Sequence, residues 1–239
     1  MREYSDCYIA YLDLLGFKVI VSSKSCEDIA KLFDEIQERY IVAVESSKKV
    51  LMDYRRLKIK IMSDSICLYV DSSVRNALPG LVAFCNHFQQ RLLRLEEPVL
   101  TRGAIVKGDL YAEKDKDIMF GKGFVQAYLM EEKTAVFPRV IFTRSLIDEC
   151  ETIDEYGRNY LQKFTFSDED AFVSIDYLYL FYGLRHEHDD WKSFVRFVQK
   201  ELNGEMDSRI REKYLYIKRN IERVRTKYIE QIGLSNIAS

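Results

Sequence analysis

Between Leu57 and Val70 the chain carries two strand-like runs with only Ser63-Asp64-Ser65 between them. Lys and apolar side chains alternate from Leu57 to Met62, as in a half-exposed strand, and Ile66 to Val70 is its apolar partner. A connection this short joins antiparallel strands, because a parallel pair needs a crossover of a dozen or more residues. A hairpin inside an otherwise βαβ-like succession argues against a doubly wound Rossmann sheet. It predicts a mixed sheet with helices packed on it.

The rest of the pattern gives the order β-α-β-β-α-β-α-β-α-β-β. Cys7 to Leu12 is an apolar, aromatic-rich run ending at Asp13, and it reads as a buried strand with a carboxylate at its C-terminal end. Gly16 allows a tight turn. Ser25 and Asp28 have capping-box spacing, and Ile29, Leu32, Phe33, Ile36 and Tyr40 repeat at helical spacing, predicting a helix into the mid-40s. A second helix carries Val74, Leu78, Leu81, Cys85, Phe88, Leu92 and Leu95 on one face. Pro98 precedes a strand from Val99 to Val106, and Gly108 with the charged stretch 113–117 marks a turn. Phe120-Gly121 opens a helix over 122–132, Pro138 introduces a strand over 139–142, and two late strands near Phe164 and Phe172 close the sheet.

The chain has 239 residues, 47% hydrophobic and 31% charged, with only 10 Gly and 3 Pro, so it builds a real core and few disordered linkers. A net charge of −2 gives no case for nucleic-acid binding by bulk electrostatics. No apolar run approaches the roughly 18 residues that span a bilayer. Asp6 and Asp13 interrupt the N-terminal segment as a signal peptide. Cys7, Cys26, Cys67, Cys85 and Cys150 show no metal-like spacing with one another or with the three His, and they read as reduced thiols in a cytoplasmic protein.

The character changes near Asp189. Trp191, Phe194, Val195, Phe197, Val198 and Leu202 form an amphipathic stripe that Gly204 ends. Ile210, Tyr214, Ile217, Ile221, Val224 and Tyr228 then recur at alternating steps of four and three, a heptad seam of about three repeats. Three roles fit such a seam: packing on its own domain, a dimeric coiled coil, or a partner-binding helix. The basic cluster from Lys218 to Lys227 reads as a solvated face. The expected division is residues 1–180 as the α/β domain and 181–239 as a helical extension.

Asp13 at a strand end and Asp64 at a hairpin tip are the candidate chemistry. If the first strand lies beside the hairpin, both carboxylates leave the same edge of the sheet. Hard oxygen ligands of this kind suit Mg²⁺ shared with substrate phosphates, and two such ions about 4 Å apart can serve both ends of an in-line displacement. The turn Leu14-Leu15-Gly16-Phe17 can aim backbone N–H groups at phosphate oxygens.

The words around these residues form an ordered set. Tyr11-Leu12-Asp13-Leu14-Leu15-Gly16-Phe17 resembles the first metal motif of class III nucleotide cyclases, an Asp followed by two apolar residues, Gly and Phe. Lys60-Ile61-Met62-Ser63-Asp64 resembles the family's Lys-x-x-Gly-Asp hairpin, with Ser63 in the Gly place. Arg102-Gly103-Ala104-Ile105-Val106-Lys107-Gly108 is similar to its later Arg-x-Gly-Ile-x-x-Gly strand, with the Gly displaced. Phe120-Gly121, Ala127 and Glu131 are similar to the helix that follows. The order and intervals hold over roughly residues 5–178.

The resemblance implies an α+β, ferredoxin-like palm domain with a mixed sheet, followed by C-terminal helices. It implies Asp13 and Asp64 as catalytic metal ligands for Mg²⁺ or Mn²⁺, assisted by the Leu14 carbonyl. Leu15, Gly16 and Phe17 would form the triphosphate turn, and Lys60 falls where family members often read the base. Arg102 would contact phosphate or form a structural ion pair, and Arg139 at a strand start is a weaker candidate.

The implied activity is conversion of a nucleoside triphosphate to a 3′,5′-cyclic mononucleotide and pyrophosphate in a head-to-tail homodimer. The layout resembles stand-alone bacterial cyclases that make cyclic UMP or CMP in anti-phage signalling. Two departures stand against full activity. The family's transition-state Asn and Arg fall at Val125 and Leu129, which donate no side-chain hydrogen bond, and its acidic base reader falls at Ile118, with Asp117 one position early. The alternative expectation is a catalytically degenerate, nucleotide-binding regulatory module. A nucleotidyltransferase that joins two nucleotides ranks below both, because no Gly-Gly-Asp-Glu-Phe-like word is present.

Overall fold

The computed structural model describes residues 3–48, 54–113 and 118–237. β1 (Ser5–Leu14) leads through α1 (Phe17–Ser23) and α2 (Cys26–Lys48) to the hairpin β2 (Lys58–Met62) and β3 (Ser65–Asp71). α3 (Ala77–Leu92) returns the chain to β4 (Thr101–Glu113). These strands lie side by side as β2-β3-β1-β4, all neighbours antiparallel. That is the split βαβ arrangement of a ferredoxin-like palm, with β3 inserted between the ends of the first crossover.

β5 (Ile118–Phe120) folds back on β4, and α4 (Lys122–Lys133) follows. β6 (Val140–Phe142) adds parallel to β4, α5 (Arg144–Asp148) and α6 (Glu155–Phe164) cross over, and β7 (Thr165–Ser167) and β8 (Val173–Ile175) complete an eight-stranded mixed sheet. α7 (Tyr177–Arg185), α8 (Asp189–Asn203) and α9 (Ser208–Ile237) end the chain.

The strand period of two sorts β1 between two cores. Tyr8, Ala10, Leu12 and Leu14 face the large core under α2, α3 and α6, while Cys7, Ile9 and Tyr11 face the smaller one under α4. The expected capping box is present: Ser25 N–H and Oγ donate to Asp28 Oδ2 at 3.3 and 2.6 Å, and Asp28 N–H donates to Ser25 Oγ at 3.2 Å.

Several local expectations need correction. Gly108 is not in a turn but in the middle of β4, opposite Cys7. It is needed for close approach: a Cβ there would lie 3.0 Å from Gly123 Cα on α4. β4 therefore runs seven residues past the expected end at Val106. β5, three residues long, is too short to show a period, and α7 is buried at Tyr177 through Phe181, so its apolar run has no polar face to betray a helix. Position 180 falls inside α7. Residues 114–117, including Asp117, lie outside the described residues.

The seam on α9 packs within its own chain. Ile217, Ile221 and Val224 are buried with Phe181, Trp191 and Phe194 from α7 and α8, and Ile210 alone of the seam is exposed. The basic cluster on α9 is not wholly solvated. Arg223 donates to Asp176 Oδ1 at 2.6 Å and Oδ2 at 3.0 Å, and Lys227 reaches Oδ2 at 3.1 Å. Among the described residues no helix is long and apolar enough to cross a membrane.

Candidate active site

Asp13 is the penultimate residue of β1, opposite Ser65 on β3 and Arg102 on β4. The alternation of β1 puts it on the α4 face. Leu14 N–H donates to the Asp64 carbonyl at 2.9 Å, so the hairpin tip is hydrogen-bonded to the residue that follows Asp13. The two aspartates thus share one end of the sheet. Ser63, just before Asp64, has φ +57°, the left-handed region that glycine tolerates best. This is why a glycine occupies the corresponding place in the motif it resembles.

Arg102 Nε donates to Asp13 Oδ2 at 3.2 Å and lies 2.7 Å from Glu131 Oε1. The Glu131 contact is an ion pair without hydrogen-bond alignment: Oε1 is sealed from solvent and accepts no hydrogen bond from any described donor. Burial pushes the Glu131 carboxyl up to about 7, outweighing the pull of Arg102, and Asp13 and Asp64 push it the same way. Burial also raises Asp13, Arg102 opposes that shift, and Asp64 adds to it. Two carboxylates, Asp13 and Glu131, therefore converge on one guanidinium.

Glu131 reaches this place because α4 buries a narrow face. Gly123, Ala127 and Glu131 are its buried residues, four apart, and the two small ones let the helix lie against β1 and β4. A carboxylate continuing a small-residue helical stripe was the sequence signal for it. Lys213 on α9 is the other neighbour that sequence reasoning missed. It is half-buried and feels both Arg102 and Asp13, with burial and Arg102 weakening its hold on the proton.

The remaining expected residues separate. Leu15 N–H donates to the Leu100 carbonyl at 2.8 Å, and its side chain packs against the C-terminal helical core. With the Leu14 and Leu15 amides engaged, phosphate contacts from this turn would fall to Gly16 and beyond. Gly16 has φ +82° and opens α1, while Phe17 is buried edge-on against Phe33, with ring centres 5.6 Å apart, and serves the core. Lys60 lies on β2 opposite Cys67 and lines a separate groove of about 800 Å³ with Lys58, Tyr69, Asp71 and Met119, away from the Asp13 cluster. Arg139 is buried in an ion cluster with Asp168, at 2.5 Å, and Asp170, and this pairing gives it a structural place.

Val125 and Leu129 are exposed on α4, at 52% and 38%, and line an open apolar groove of about 810 Å³ with Tyr4, Gln126 and Met130. Among the described residues no group of three or more His, Cys, Asp or Glu side chains is placed to hold a metal ion. The residues expected to hold a cation, Asp13, Leu14 and Asp64, lie together at this sheet end.

No protein-family model and no curated protein matches this sequence. Solved structures match by fold. The guanylyl cyclase domain of the RhoGC fusion protein from the aquatic fungus Blastocladiella emersonii aligns with a TM-score of 0.53 at 15% identity, covering 73% of this chain and 96% of that one. The catalytic core of a rhodopsin-guanylyl cyclase with converted specificity, in complex with ATPαS, gives 0.51 at 14% identity over 73% and 97%. The guanylate cyclase domain of RhGC from Catenaria anguillulae, in complex with GTP, gives 0.50 at 12% identity over 73% and 96%. The chain has the fold of a class III nucleotidyl cyclase catalytic domain.

Proposed function

We propose that this chain is a metal-dependent nucleotidyl cyclase that converts a nucleoside triphosphate to a 3′,5′-cyclic mononucleotide and pyrophosphate. The observation that carries the reading is the backbone hydrogen bond from Leu14 N–H to the Asp64 carbonyl, which holds the backbones of Asp13 and Asp64 together at one sheet end. The donor set fits Mg²⁺ or Mn²⁺: two carboxylates and a carbonyl are hard oxygens, and they leave positions for water and phosphate. Bound there, the ions would supply charge neutralisation at the phosphates and a lowered pKa for the attacking hydroxyl.

The chain's own groups have distinct tasks in this reading. Asp13 and Asp64 hold the cation charge, and Leu14 assists with its carbonyl. Arg102 orients Asp13 through its Nε hydrogen bond, and its charge opposes the burial that raises the Asp13 pKa. Gly16, with the left-handed backbone that opens α1, shapes the phosphate turn. Lys60, across its own groove, is the base-contacting candidate, in a second copy of the chain if the head-to-tail homodimer implied by the resemblance forms. A pyrimidine base is compatible with the irregular base-reading positions.

One observation favours a second reading. The α4 surface that carries a polar Asn and Arg in the family presents exposed Val125 and Leu129 here. Missing charge stabilisation in phosphoryl transfer costs several kcal/mol, roughly 3–4 per donor. The second reading is a module that binds the nucleotide with metal and does not turn it over.

The deciding experiment incubates the purified chain with each of the four ribonucleoside triphosphates and Mg²⁺ or Mn²⁺ and resolves the products by mass. A cyclic mononucleotide that vanishes in Asp13→Ala and Asp64→Ala supports the cyclase. Metal-dependent binding with no product leaves the binding module, and neither binding nor product ends both readings.

A further inference from the structure

The outer face of α4 carries a stripe that is its own complement. Lys122, Val125, Leu129 and Glu132 are all exposed and follow at steps of three, four and three, so they lie along one side of the helix. Val125 and Leu129 form an apolar middle, with a base at one end and an acid at the other. Reversing the stripe about the level of Ala127 exchanges Lys122 with Glu132 and Val125 with Leu129. Among the described residues neither Lys122 nor Glu132 is in an ion pair. Glu132 faces the Tyr128 hydroxyl one turn back, a neutral group that leaves its charge uncompensated.

The stripe borders the open groove of about 810 Å³ that Tyr4, Gln126 and Met130 share with Val125 and Leu129. Beside it Tyr4 and Phe120 are also exposed, edge to face with ring centres 6.0 Å apart, and widen the apolar surface. An apolar patch with a charged rim marks an association surface. A two-fold axis sets the same patch of both subunits together. Two α4 helices antiparallel across such an axis would place each Val125 on Leu129 of the second copy, and each Lys122 beside its Glu132. Parallel helices would instead set lysine against lysine and glutamate against glutamate, so the charges select the antiparallel direction.

We propose that the outer face of α4 binds the α4 of a second copy of this chain, antiparallel, through a Val125–Leu129 core closed at each end by a Lys122–Glu132 ion pair. The proposal goes beyond the nucleotide reading and does not rest on it. It is a different contact from the one that would bring Lys60 of a second copy to a nucleotide. It gives apolar side chains a use at two positions where the resemblance expects polar ones.

The test is sedimentation velocity of the full chain over roughly 1–300 μM, the range suited to a small interface built on one short helix. Lys122→Glu and Glu132→Lys each set like charges opposite one another at both ends, and each should weaken dimerisation by about tenfold or more. The double variant Lys122→Glu with Glu132→Lys should restore it. Mixing the two single variants should restore it too, because one of each again sets opposite charges at both ends. Leu129→Asp should abolish the dimer without lowering Tm, since Leu129 is exposed. A chain that stays monomeric throughout the range overturns the proposal. So does a dimer that the single reversals leave intact, as a contact through another face would be, or one that the double variant and the mixture fail to restore.

Discussion

Arg102 faces Asp13 directly across the β1–β4 ladder, and its Nε donates to Asp13 Oδ2 at 3.2 Å while touching Glu131 Oε1 at 2.7 Å. One guanidinium thus restrains two carboxylates at the point where the sheet meets α4. The pair is a counter-charge within the site, and it engages Asp13 through Oδ2.

Removing Arg102 should expose that dependence. Arg102→Met leaves Glu131, with a side chain only 4% exposed, facing Asp13 with nothing between them. Taking one partner from a buried pair typically costs 3–5 kcal/mol, and the partial exposure of Arg102 reduces this to about 2–3. Denaturant unfolding measures the loss. Adding Glu131→Gln should recover a large part of it, because the neutral amide no longer needs a cation, and a strictly additive double mutant would contradict the coupling.

Stability should also depend on pH through Glu131. Its folded pKa of about 7 lies above the ordinary 4.5, so between those values the folded chain holds a proton that the unfolded chain has released. Stability from this group is therefore complete below about 4.5 and falls as pH rises through about 7. Glu131→Gln removes the effect. The variant should gain about 3 kcal/mol relative to wild type between pH 4 and pH 8 in urea titrations. Parallel pH profiles would place the Glu131 pKa near its ordinary value.

Ser63 carries strain at the hairpin tip. A non-glycine residue at φ +57° costs about 1–2 kcal/mol, partly offset by the greater chain entropy that glycine loses on folding. Ser63→Gly should therefore stabilise the chain by about 1 kcal/mol, a rise of about 2–4 °C in Tm. Ser63→Val, β-branched in the same conformation, should lower Tm instead.

The division between what was and was not legible follows the range of the forces. Asp13, the Ser63–Asp64 tip and the Ser25–Asp28 capping box depend on residues within a few positions, so pattern and turn chemistry found them. Gly108 misled because its reason is a helix passing overhead at Gly123, fifteen positions away. Glu131 stood out in the sequence only as part of a helix motif with no role attached, and Lys213 not at all, because only the docking of α4 and α9 makes them neighbours of Asp13. The heptad spacing on α9 was read correctly as a seam, but spacing alone does not name the surface it meets. The aromatic rings of α7 and α8 decided that.

The position of α9 should rest on Asp176. Its side chain is fully buried, caps α7 by accepting from Tyr179 N–H at 3.3 Å, and takes Arg223 and Lys227 from α9. Asp176→Ala takes the buried partner from two cations that are themselves part-exposed, and about 2–3 kcal/mol of stability should go with it. The damage should be local first: amide exchange along α9 should accelerate more than exchange along β1 and β4, because the anchor joins α9 to the end of β8. Replacing the whole set, as Asp176→Leu with Arg223→Leu and Lys227→Met, removes the unpaired charges along with the pair. That triple variant should be more stable than Asp176→Ala alone, and equal or lower stability would show that packing around Asp176, not charge, holds the helix in place.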